Sequence, residues 1–175
     1  MSPTARTAAL QRLDEFIGEW SVKASFPDSP TGRSVFEWAL QGQYLIQRSD
    51  APDPIPQAMA IVAINPRTGA YTQHYFDSRG VVRVYAMTFS RDTWTLTRNS
   101  PDFSPLDFHQ RFKGRFSAGG NTIQGTWEQS HDGRNWKRDF DLTYTKVKRP
   151  RASQTKRSRQ RRHAKPPSPS RKPRP

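Results

Sequence analysis

Between residues 19 and 145 apolar and polar side chains alternate with a period of two, again and again, which is the rhythm of strands with one face turned to a core. EWSVKASFP sets Trp20, Val22, Ala24 and Phe26 against Glu19, Ser21, Lys23 and Ser25, and Pro27 ends the run. Residues 33–40 place Ser34, Phe36, Trp38 and Leu40 on one face, with Gly42 at the following turn. Comparable runs occupy 43–49, 57–64, 70–76, 81–89, 93–98, 107–117, 121–129 and 135–145, parted by turn-forming stretches such as NPRTG, DSRG, SRD, AGG and SHDGR. Ahead of them the period is helical. Thr7 is a candidate N-cap, Leu10, Leu13 and Ile17 share a face, and Gly18 stands where a helix-ending glycine stands.

Ten consecutive strands joined mostly by short links must hide their edges. A meander of that length closes most simply into an antiparallel up-and-down barrel, because a two-sheet sandwich needs Greek-key crossovers that short hairpins cannot make. The predicted fold is therefore all-β: a short helix over residues 1–18 capping the barrel, the barrel itself over 19–146, and a tail over 147–175. Ten strands enclose more room than the eight whose side chains just fill a barrel, so an interior cavity is expected.

Charge sharpens the boundary of the tail. Of 29 Lys and Arg residues, 13 lie between Lys146 and Pro175, where there is no Asp or Glu; the remaining 16 face 15 acidic residues, so the body is nearly neutral. All 20 Phe, Trp and Tyr fall between Phe16 and Tyr144. The tail cannot bury enough apolar surface to offset chain entropy and reads as disordered. Lys148, Arg149, Arg151, Lys156, Arg157, Arg159, Arg161 and Arg162 form a cationic stretch suited to polyanions such as nucleic acid, without sequence preference and with strong salt dependence. It has no ring to stack on bases beyond His163. The chain has no cysteine, which excludes a disulfide framework and a thiolate metal site. With no apolar run of signal-peptide or membrane-spanning length, a soluble cytoplasmic protein that does not contact membranes is expected.

The densest chemistry lies in YTQHYFDSRGVVRVYAMTF, residues 71–89. A nucleophilic triad of His74, Asp77 and Ser78 fails on geometry, since four strand residues place His74 and Ser78 about 13 Å apart and the turn sends Ser78 around the hairpin tip. Asp77 and Gly80 read instead as turn formers. His74, Phe76, Arg83 and Tyr85 line a pocket if they face inward and form a solvated ladder if they face outward. Trp20, Trp38, Tyr44, Trp127 and Phe140 complete the aromatic candidates for a cavity wall. Arg48, Arg98 and Arg138 share the alternation parity of apolar neighbours, which makes Arg98 a further candidate for a ligand carboxylate or phosphate. Asp139 and Asp141 alternate with Phe140 and Leu142 and belong to the outer face. The four histidines are scattered without metal-ligand spacing. No acid–base pair with usable geometry emerges, so a binding protein is expected rather than an enzyme, with a small hydrophobic or aromatic molecule as ligand.

FIGEWSVKASFP, FEWALQGQYLIQRSD, HYFDSRGVVRVYAM and QGTWEQSHDGRNWKRDFDLTYTK together resemble a family of uncharacterised bacterial proteins, common in actinobacteria, which implies a lipocalin-like (calycin) barrel over about residues 10–146. Gly18-Glu19-Trp20 is also distantly similar to the opening strand of the nitrobindins, ten-stranded barrels that hold haem iron through a histidine late in the chain. That likeness implies haem as a cofactor. The last strand here, WKRDFDLTYTK, has no histidine and His131 falls in a turn, which leaves His74 or His109 as axial ligands if they face inward.

Overall fold

The computed structural model describes residues 8–148 and shows a single closed barrel. Its ten strands are β1 Gly18–Ala24, β2 Gly32–Ala39, β3 Tyr44–Asp50, β4 Ala58–Ile64, β5 Tyr71–Asp77, β6 Val82–Ser90, β7 Thr93–Arg98, β8 His109–Phe116, β9 Thr122–Ser130 and β10 Lys137–Lys146. Each pairs antiparallel with its sequence neighbours, and β1 pairs with β10 from Trp20↔Lys146 to Ala24↔Leu142 to close the ring. The up-and-down barrel expected from the period of two is the fold. No described helix is long and apolar enough to cross a membrane. Thr7 and residues 149–175, with the tail cations Arg149, Arg151, Lys156, Arg157, Arg159, Arg161 and Arg162, lie outside the described residues; Lys148 is exposed.

The entry helix is shorter and tighter than its helical spacing suggests. An α-helical turn, α1 (Ala8–Arg12), passes into a 3₁₀ turn, Leu13–Phe16. Three residues per turn put positions i, i+3 and i+6 on one face, so Leu10, Leu13 and Phe16 are buried and Ile17 is only partly so. Phe16 enters the barrel end and meets Phe36, Phe89, Trp94 and Phe116 at centroid distances of 4.8–5.5 Å. Polar ties hold it there. Trp20 Nε1 donates to Phe16 O at 2.7 Å, Trp38 Nε1 to Asp14 Oδ1 at 2.8 Å, and Tyr71 Oη to Ala9 O at 2.7 Å.

That end of the barrel is a dry core of Leu13, Phe16, Trp20, Met87, Trp94, Phe112, Phe116 and Ile123, all at most 4% exposed. Gly125 and Gly114 make room for it. A Cβ on Gly125 would stand 2.2 Å from Phe112 Cζ, and one on Gly114 2.8 Å from Phe112 Cε1. Two expected core positions lie outside: Phe26 falls beyond the end of β1 and is 49% exposed, and Leu40 turns outward at positive φ and is 73% exposed.

Candidate functional site

Register decides which residues see the interior. Gln73 lies between Val62 and Tyr85, and all three are buried, so Tyr71, Gln73, Tyr75 and Asp77 form the inner face of β5. His74 lies between Ile61 and Val84 in the next row, and Phe76 between Met59 and Val82. His74 and Phe76 are therefore on the outer face and do not line the lumen. Tyr44 is also outside: Leu45 is 1% exposed and Gln47 pairs with Phe36 in an inner row, which turns Tyr44 and Arg48 outward, Arg48 to an ion pair with Glu37. Neither β3 nor β5 has a cleanly apolar set of alternate residues, so parity could not be read before the pairing. In β10 a bulge between Arg138 and Phe140 breaks the alternation, leaving Arg138 outside with Asp141 while Phe140 keeps its inner place opposite Trp127.

The barrel half away from the helix is unlike the dry half. Its inward side chains include Gln47, Ser49, Tyr75, Arg83, Gln110 and Trp127, and each of these is only partly buried, so solvent reaches the barrel interior at this end, called the cup below. Aromatic side chains form its floor: Tyr85 packs at a tilt against Trp127 at 5.6 Å, and Trp127 against Phe112 at 5.1 Å. Polar groups ring it. Gln47 Nε2 donates to Ser34 Oγ at 3.0 Å, Ser34 and Ser49 hydroxyls meet at 3.0 Å, and Tyr85 Oη donates to Gln110 Oε1 at 2.7 Å. Burial pushes the Tyr144 phenol, beneath this ring, up to about 12 and raises those of Tyr85 and Tyr75, so all three hydroxyls are neutral donors near neutral pH.

One side of the cup is built by the 99–108 loop. Pairing of β6 with β7 stops at Ala86↔Thr97, and Asp102 fills the gap by accepting the Val84 amide at 3.0 Å. Asp102 also takes Arg98 Nε at 2.7 Å and Nη2 at 3.0 Å, while Arg98 donates further to the Phe108 and Pro105 carbonyls at 3.2 and 3.0 Å. Both side chains are almost fully buried. The Arg98 hydrogen bonds hold the Asp102 carboxyl well below the usual carboxylate range against the opposing effect of burial, and the Val84 and Ser104 amides help. Arg98 thus faces inward, but each of its three guanidinium nitrogens already donates to the loop. Arg83 differs. Its Nη1 donates to Val82 O at 3.0 Å and Ser104 Oγ at 2.7 Å, and it forms no ion pair among the described residues.

The remaining candidates sort by place. Trp20 and Trp38 belong to the plugged end, and Lys146 Nζ lies 4.9 Å from the Trp20 ring. Arg83, Tyr85 and Trp127 line the cup, and Phe140 sits at its rim against Phe26 at 4.9 Å. Asp77 caps its hairpin as expected, accepting the Arg79 amide at 2.9 Å, with Gly80 at φ 81°. Gln47, Gln73, Tyr75, Gln110 and Asp102 are the cup residues that the sequence alone left unmarked. Two shallow grooves on the barrel wall, about 450 Å³ beside Thr72, Val84 and Thr97 and about 310 Å³ beside Thr126 and Asp141, have no comparable set of converging groups.

The histidines do not suit haem. His74 is outside. His109 alternates with the inward Gln110 and has Nδ1 3.4 Å from Asn99 Oδ1, and His131 is exposed with Nδ1 3.4 Å from Asp107 O. No described histidine can reach an iron in the lumen, and no group of His, Asp and Glu among the described residues is placed to hold a metal ion. His163 lies outside the described residues.

Fold and cup together define a closed ten-stranded antiparallel barrel, packed with buried side chains at one end and reached by solvent at the other. A similar fold occurs in the crystal structure of Rv2717c from M. tuberculosis, to which this chain is similar with a TM-score of 0.55 over 81% of its length and 99% of that chain, at 13% identity. At that identity the likeness is one of fold. No protein-family model and no curated protein matches the sequence.

Proposed function

We propose that the open half of the barrel binds a small planar aromatic molecule bearing polar, including acidic, substituents. The observation that carries this reading is the inward-facing set of Gln47, Tyr75, Arg83, Gln110 and Trp127, which keep contact with solvent inside a barrel whose other end is packed shut. Trp127, only partly buried, offers a ring for contact with a ligand, and Arg83 is a cation with donors to spare for an acidic group. The closed end, by contrast, has no room for a ligand. The ligand expected is accordingly more polar than a simple hydrophobic molecule.

The test is a titration with 8-anilinonaphthalene-1-sulfonate, which combines rings with a fixed negative charge. Saturable binding that quenches tryptophan emission, is weakened about tenfold by Trp127→Ala and is weakened by Arg83→Gln at low salt more than at high salt supports the cup. Binding unchanged in both variants places the dye elsewhere and overturns the reading.

A further inference from the structure

Gln73 is 4% exposed, sits halfway down β5 and points into the lumen between Val62 and Tyr85. The other deep amides of the cup are engaged, Gln47 by Ser34 and Ser49 and Gln110 by the Tyr85 hydroxyl. Gln129 is nearer the rim and partly exposed. The Gln73 amide forms no hydrogen bond among the described residues, nor is it among their sealed-off polar atoms; Trp94 Nε1 in the dry half holds that place. Its amide atoms therefore still reach the lumen, although the residue is 4% exposed, and no described protein group answers them. A deep, unspent donor–acceptor pair next to stacking rings is the chemistry that reads a flat heterocycle by its edge.

Building on the cup reading above, we infer that Gln73 is a specificity residue that pairs bidentately with an adjacent N–H and C=O on the ligand, so that the ligand class is planar heterocycles with a lactam or imide edge. The carboxamide N–H₂ donates to the ligand carbonyl and its oxygen accepts the ligand N–H, both in one plane, as glutamine does with the donor–acceptor edge of a base. The ring system then lies against Trp127. An acidic substituent pointing to the mouth would meet Arg83.

Lumiflavin and 3-methyllumiflavin are suitable probes, since they differ by one methyl group that removes the imide N–H. The full-length protein should bind lumiflavin at least about tenfold more tightly than the methylated form, read by flavin fluorescence, because the methylated edge leaves the amide unpaired. Gln73→Leu should remove the preference and raise Tm, since it replaces a deep amide that no described protein group answers with an apolar near-isostere. Gln73→Met provides the same comparison with a more flexible chain. Equal binding of the two flavins by the wild-type protein overturns the inference, as does a loss of Tm in both variants, which would reveal a structural partner for Gln73. If the naphthalene sulfonate occupies the cup and lumiflavin does not bind, the edge-reading role fails while the cup stands; if neither binds, both fail.

Discussion

A guanidinium buried as deeply as that of Arg98 is tolerated because each of its three nitrogens has an acceptor. Asp102 supplies the charge and the 99–108 loop supplies the carbonyls. Asp102→Asn removes the charge while keeping the shape and should destabilise the protein by about 3–5 kcal/mol, the cost of leaving one member of a buried pair without its partner. The pH dependence follows from the depressed carboxyl. In the unfolded chain Asp102 takes up a proton near its ordinary value of about 4 and in the folded protein only well below it, so its contribution is present above about pH 4 and is lost as pH falls through the lower folded value. Urea unfolding of wild type and variant at pH 7 and pH 3 should show the gap narrowing at the lower pH. A constant gap would mean that charge is not what holds the loop.

At the level of elements, the period of two gave all ten strands to within about two residues of their ends, because alternation and turn chemistry are local properties of the chain. Facing was less accessible. Apolar content settles it in β6, β7 and β8, where Tyr85, Met87, Phe89, Trp94, Leu96, Phe112 and Phe116 alternate inward. In β5 the inner set is Tyr71, Gln73, Tyr75 and Asp77 and the outer set Thr72, His74 and Phe76, and only pairing with β4 and β6 decides between them. The polar ring of the cup was hidden for the same reason, since an inward glutamine looks like an outward one until its neighbours are known. The Arg138–Phe140 bulge and the 3₁₀ turn that brings in Phe16 rather than Ile17 are changes of period too short for a sequence window to show. Phe16 joins the entry segment to the sheet through four ring contacts. Phe16→Ala should cost about 3–5 kcal/mol in chemical denaturation. A cost below about 1 kcal/mol would show that the plug is not part of the core.

The molecule as a whole divides into a nearly neutral barrel and a cationic stretch that begins where the barrel closes, with the Val147 amide bonded to Glu19 O at 2.8 Å. We propose that this stretch gives weak, salt-sensitive association with nucleic acid. Deleting Lys148–Pro175 should abolish retention on DNA at low salt and leave Tm almost unchanged; a truncated barrel that still binds DNA at physiological salt would contradict that assignment. The barrel itself is divided again, into a sealed half and a wet half, and the proposed function depends on that division. Five tryptophans report on it, with Trp20, Trp38 and Trp94 in the sealed half, Trp127 in the cup, and Trp136 on the barrel wall under Arg111. Fluorine NMR of the 5-fluorotryptophan protein, assigned by single Trp→Phe variants and titrated with lumiflavin, reads all five sites at once. A saturable shift of the Trp127 line, with Trp20, Trp38, Trp94 and Trp136 unmoved, is the result predicted. A shift confined to Trp136 on the barrel wall, or none at Trp127 while the flavin binds, would contradict it.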